Sequence, residues 1–299
     1  MRTPTSRTSA DVIVCVHNSF DDVKLCLESV LPTLSAEDRL IIVDDGSEAK
    51  TKELCESIAS NDLDRVLLIR RDKGSGFCRA ANEGMRQSDR DTIILLNSDT
   101  IVVGDWISKI HNCLHAHPNI GIAGPLSNAG GWQSIPDMPG PNASPNLVKS
   151  DPETLQSINK FCAEIAAPFT YPVVEQINGF CLAVKRTVLE TVGLFDEVRF
   201  PKGYGEENDL NLRAQDAGFL CAVAIDCFVY HAKTKSYSSE QRKQLTENGQ
   251  VQLRSLYGEQ RIRNAVRGTQ QNPILLEIRS IARDAFQEKD WTISTSETP

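Results

Sequence analysis

Four short apolar runs, residues 12–16, 40–43, 66–69 and 92–96, each break off into polar residues, and segments with helical spacing separate them. A strand buried on both faces reads as such a run and does not alternate. After the first run, Val23, Cys26, Leu27, Val30 and Leu31 fall at i, i+3, i+4, i+7 and i+8. That is one buried helical stripe, with Asn18 or Ser19 as N-cap and Asp21 and Asp22 in the first turn. Leu54, Cys55 and Ile58 mark a second helix, and Phe77, Ala80, Ala81, Gly84 and Met85 a third. Strand and helix in alternation predict an α/β fold with a mostly parallel sheet, its ligands beyond the carboxyl ends of the strands.

Between residues 124 and about 172 the periodicity fails among scattered prolines, which predicts a long functional loop region. Order returns as a strand at 177–184, a short helix at 186–192, a helix at 208–217 and a strand pair or extended segment at 220–230. From about 238 the chain reads as charged and helical, with Leu253, Leu256 and Tyr257, then Ile274, Leu275, Ile278 and Ile281, as apolar stripes.

The formal net charge of −8 over 299 residues speaks against a broad nucleic-acid footprint, so an anionic ligand needs a local device to hold it. The nine cysteines form no CxxC pair and lie mostly in apolar runs, as reduced core residues do. The polar N-terminus lacks an apolar signal region, and no run approaches the roughly 18 apolar residues of a membrane span. A cytoplasmic protein with at most peripheral membrane contact is expected.

The strand ends hold the candidate chemistry. Asp44 and Asp45, followed by Gly46 and Ser47, can accept an imide N–H of uracil or thymine or a ribose hydroxyl, or else cap the helix that follows. His17 either stacks on a base or is a solvated loop residue. Asn97-Ser98-Asp99 either holds a divalent cation by hard oxygen ligation or forms a strand-end turn. Glu206, Glu207 and Asp209 crowd one helix start, where dipole pairing needs only one or two acids; a carboxylate there could take a proton from a hydroxyl nucleophile. His231, ending an apolar run, ligates a metal or caps the strand.

In order, the segments 12–18, 41–47, 73–77, 81–84, 95–99, 178–183 and 193–196, with the acidic helix start, resemble the family 2 glycosyltransferases of the GT-A fold across roughly residues 11 to 235. The resemblance implies transfer of a sugar from a UDP- or dTDP-sugar to an acceptor hydroxyl with inversion, in surface polysaccharide or glycoconjugate synthesis. It places His17 and Asp45 on the base, Asp44 near the nucleoside, and Lys73 and Gly74 along the nucleotide loop. Asn97, Ser98 and Asp99 fall on the family's DXD motif, with Asp99 holding Mn2+ or Mg2+ on the diphosphate. His231 matches a further metal ligand of some relatives, and Asn178 and Gly179 a strand beside sugar and acceptor. The family's Glu-Asp pair falls on Glu206 and Glu207, Glu207 being the general base.

Two positions depart from that pattern. Asn97 replaces the first DXD acid, which raises the weight on Asp99 and His231, and Glu207 stands where many relatives have Asp. The same resemblance divides the chain into a GT-A domain at 1–235, with a nucleotide-binding half at 11–124 and an acceptor-binding half at 125–235, and a helical extension at 236–299. That extension is the expected element for homodimerisation or peripheral docking at the membrane, and the expected acceptor is a saccharide or lipid-linked glycan. The competing readings are a non-catalytic sugar-nucleotide or glycan-binding module, a nucleotidyltransferase, and a Rossmann oxidoreductase. For the last, Gly74 and Gly76 form only a partial fingerprint after the third strand instead of the first.

Overall fold

The computed structural model describes residues 9–138, 148–233 and 239–293. Its first half follows the alternating pattern: β1 (Ala10–Val16), α1 (Phe20–Val30), β2 (Arg39–Asp45), α2 (Ala49–Asn61), β3 (Val66–Arg71), α3 (Phe77–Gln87) and β4 (Thr92–Asn97). Then come β5 (Thr100–Ile101), α4 (Trp106–His115), β6 (Ile120–Leu126), α5 (Pro152–Ala166), β7 (Val173–Val174), β8 (Cys181–Lys185), α6 (Arg186–Val192), α7 (Glu206–Asp216), β9 (Leu220–Phe228) and β10 (Tyr230–His231). Three helices follow, α8 (Ser239–Tyr257), α9 (Glu259–Gln270) and α10 (Pro273–Glu288).

Eight strands form one sheet in the order β3-β2-β1-β4-β8-β6-β9-β7, in which only β8 and β7 run against the rest. Successive residues of a strand face opposite sides, and Val12, Ile13 and Val14 are all wholly buried, so helices cover both faces. Each such side chain contributes about 1.5–3 kcal/mol by leaving water. β5 and β10 form a separate antiparallel ribbon.

The region from 124 to 172 is more ordered than its prolines suggest. Pro125 lies inside β6, where the register with β9 slips, a place that tolerates a missing N–H. Pro152 opens α5, with the Asp151 side chain accepting from Thr154 N and Leu155, Ile158, Phe161 and Cys162 as its buried stripe. The residue 139–147 part of that region lies outside the described residues. Two further expectations need correction. The 177–184 segment is strand only from Cys181; and Ser19, one of the two residues expected there, is the N-cap of α1, but its side chain makes no capping bond. Asn18 instead ties two loops, its N–H donating to Ser47 Oγ and its Oδ1 accepting from Glu48 N.

All nine cysteines are unpaired, eight of them buried. Burial pushes the thiols of Cys15, Cys26 and Cys55 up to about 12. Among the described residues no helix is long and apolar enough to cross a membrane.

Candidate active site

Parallel register sets Val16 opposite Asp44 and Cys15 opposite Asn97, so β1, β2 and β4 release their following residues on one edge of the sheet. His17 emerges exposed and shares a hydrogen bond through Nδ1 with the Asp45 carbonyl at 2.8 Å. Asp44 is fully buried: one oxygen accepts from Ser47 N and the other pairs with Arg70. Its carboxylate closes the turn after β2 and caps no helix. Asp45 accepts from Ser75 N and Oγ and from Gly76 N, all at 2.8–2.9 Å. It thereby holds the loop carrying Lys73 and Gly74, both exposed. Gly46, at φ +78°, permits this closeness, since a β-carbon there would lie 2.5 Å from Gly74 N.

The β5–β10 ribbon pairs Thr100 with His231, which brings the adjacent Asp99 to the imidazole: Asp99 Oδ1 lies 3.3 Å from His231 Nε2. The ring is fixed on three sides. Nδ1 donates to the Ala129 carbonyl at 3.0 Å, Phe180 stacks on it at 5.4 Å, and the Asn128 side chain binds both the backbone N–H and the carbonyl of His231. With Nδ1 as donor, Nε2 faces the carboxylate: a neutral ring offers it a lone pair, and a protonated ring donates to it. In the neutral form the two groups are both acceptors and suit a divalent cation. Among the described residues no group of three His, Cys, Asp or Glu forms a cage. A cation held by the pair would take its remaining ligands from a bound anion such as a diphosphate.

Asn97 and Ser98, just before Asp99, are half-buried, and Asn97 N donates to the Phe180 carbonyl at 2.9 Å. Asn178 N donates to Gln133 Oε1 at 2.7 Å, and Gln133 Nε2 donates to the Pro125 carbonyl. Gly179 packs on Glu207, whose Cγ and Cδ would lie 3.6 and 3.7 Å from a β-carbon there.

Glu206 is buried and turns back, accepting from Gly205 N at 3.0 Å. Burial, and then the charge of Glu207, holds its carboxyl well above the usual range; burial likewise raises Glu207. A carboxyl raised in the folded state adds stability that is complete at acid pH and is lost as pH rises through the raised value. Glu206→Gln should therefore raise the melting temperature at neutral pH, by about 2–4 °C for each kcal/mol that the buried carboxyl costs. The gain should vanish as pH falls toward the ordinary glutamate range, a comparison that thermal scans across pH would read.

The contacts run continuously along the edge. His17 meets Asp45, which holds Ser75 and Gly76; Gly76 abuts the Pro201 carbonyl; the turn from Pro201 leads into Glu206 and Glu207; Gly179 and Phe180 carry the line on to His231 and Asp99. Asn128, Gln133, Ser75 and Phe180 are members that the sequence reading missed. Asn128 follows the end of β6, so the strand-end rule finds it once β6 is recognised.

This sheet order, with its polar rim beyond the strand ends, is the GT-A glycosyltransferase fold. Two solved structures share it: the mannosyltransferase PcManGT from Pyrobaculum calidifontis in complex with GDP-Man and Mn2+ (TM-score 0.60, 15% identity, 96% of this chain and 77% of that one) and GalNAc-T7 with UDP, GalNAc and Mn2+ (TM-score 0.63, 15% identity, 93% and 54%). The chain belongs to Glycosyl transferase family 2, whose model matches residues 11–158. An N-acetylglucosaminyltransferase of Azorhizobium caulinodans is 32% identical over 117 residues, 37% of this chain. The match spans only 28% of that relative's length.

Proposed function

We propose that the protein is a cytoplasmic, metal-dependent inverting glycosyltransferase that moves a sugar from a UDP- or dTDP-linked donor to a hydroxyl of a saccharide or lipid-linked glycan, in polysaccharide or glycoconjugate synthesis. The observation that carries this reading is Glu207, seated against Gly179 on the rim that also holds the Asp99–His231 pair. UDP-N-acetylglucosamine is the first donor to try, given the sugar in the name of the Azorhizobium relative.

In this reading His17 and Gly74 flank the base and Lys73 offers an exposed cation to the diphosphate. Asp45 takes the imide N–H in place of the Ser75 hydroxyl, the one of its donors that rotates freely. Asp44, near the nucleoside, fixes the turn at Ser47 and pairs with Arg70. Asp99 and His231 hold Mn2+ or Mg2+, which when bound offsets the charge growing on the departing diphosphate. Asn178 and Gly179 line the place where sugar and acceptor meet. Glu207 accepts the acceptor hydroxyl's proton as that oxygen bonds to the anomeric carbon from the face opposite the leaving group. The bond to the phosphate oxygen breaks and its electron pair leaves with the diphosphate. Glu206 anchors the turn that presents Glu207.

A panel of sugar nucleotides with Mn2+ tests the assignment, read by thermal stabilisation and by release of the nucleoside diphosphate. At a concentration of 100 times Kd the donor should stabilise the fold by about 2.7 kcal/mol. Slow hydrolysis should accompany binding even without acceptor. Stabilisation with no hydrolysis and no transfer would favour the glycan-synthesis binding module instead, and the absence of both would remove the reading.

A further inference from the structure

Gly249 lies in the interior of the 19-residue helix α8, where glycine costs about 1 kcal/mol relative to alanine. A β-carbon there would overlap the Tyr204 carbonyl oxygen outright and sit 3.0 Å from its carbon. One turn on, Leu253 is buried, with Cδ1 3.5 Å from where a β-carbon on Gly205 would stand. Another turn on, the Tyr257 hydroxyl donates to Asp209 Oδ1 at 2.6 Å, in the first turn of α7. Residues i, i+4 and i+8 make one helical face, and that face lies along the turn that starts α7.

The turn needs such a support. Gly203, Tyr204 and Gly205 have φ of +88°, +69° and +144° in succession. For tyrosine the left-handed region costs on the order of 1–2 kcal/mol, and such strain persists only where the surroundings impose it. Glu206 and Glu207 follow directly, so the direction of the Tyr204 peptide sets where α7 begins and how Glu207 meets Gly179.

We propose that Gly249 is a positioning residue for Glu207: by letting α8 press on the Tyr204 carbonyl, it makes the C-terminal helices part of the active site. The inference rests on the assignment of Glu207 as base.

The test uses the full chain with UDP-N-acetylglucosamine, or whichever panel member the protein consumes, and Mn2+. Gly249→Ala should lower kcat for donor consumption by about 10–100-fold, the scale of an ångström-sized misplacement, with affinity for UDP held within twofold. The acidic limb of the kcat profile should move to lower pH, because a loosened turn admits water to Glu207. Leu253→Ala removes the contact without pushing the helix and should give the same pattern in smaller measure; it carries the test if Gly249→Ala does not fold. The inference is overturned if kcat stays within twofold in the folded variants, or if kcat and UDP affinity fall together while the pH limb stays in place. A parent protein that consumes no sugar nucleotide removes the base assignment and this inference with it, whereas an active parent with unaltered variants removes this inference alone.

Discussion

Glu207→Gln is expected to lower sugar transfer by about 10²–10⁴-fold, the usual worth of a positioned general base, while Kd for the nucleotide stays within a few-fold of the parent. The substitution keeps the shape and the packing on Gly179, so what it removes is the ability to take up a proton. The pH profile supplies an independent sign. Only the carboxylate can accept the proton, and burial favours the neutral acid. The parent's kcat should therefore fall on the acid side at a higher pH than an exposed glutamate would give, and the residual rate of the glutamine variant should lack that limb. Glu207→Asp keeps a base but withdraws it by one methylene, so its rate should lie between the two. Turnover retained in Glu207→Gln would take the base role away from this residue.

The two substitutions at the acidic helix start should part company. Glu206 faces back to Gly205 N, and Glu207 faces Gly179. Replacing the first removes a buried carboxyl that resists ionising, whereas neutralising the second removes a reacting group. A pair of adjacent acids in the sequence holds no trace of that difference, which arises from the direction α7 takes as it leaves a left-handed turn.

The sheet was legible because parallel strands buried on both faces are written as unbroken apolar runs, and the rim because each run ends in polar residues. That rule found His17, the Asp44-Asp45 pair, Asn97 to Asp99 and His231. It failed where the signal was interrupted: β6 reads Ile-Gly-Ile-Ala-Gly-Pro-Leu, and without it Asn128 had no strand to end. Within α4, Lys109 and His111 are buried, since Lys109 Nζ reaches Asn159 and His111 lies against Thr92, so a polar pattern hid a core helix. Gln133 and Gly249 act across long sequence separations, on Asn178 and Tyr204, and contacts of that kind have no period to read.

Asp99→Ala is expected to abolish the part of nucleotide affinity that depends on Mn2+, by about 100-fold or ~2.7 kcal/mol, and to leave binding measured in a chelator no weaker than the parent's, since one repelling charge is gone. Charge is the reason. A protein with a net charge of −8 must hold a diphosphate, and the rim near the proposed diphosphate site adds Asp99 and Glu207 to that repulsion. Lys73 alone is an exposed point charge in a screened setting. The Asp99–His231 pair can reverse the sign locally only by recruiting a cation, for which the bond from Nδ1 to the Ala129 carbonyl leaves Nε2 facing Asp99. His231→Ala should then lose the same metal-dependent increment in smaller measure, since it removes a neutral ligand and leaves the anionic one. UDP titrations with Mn2+ and with chelator would read both variants without requiring turnover. Equal affinity under the two conditions in the parent would mean that the pair holds no metal, and Asp99 would then be a strand-end turn residue and His231 its partner.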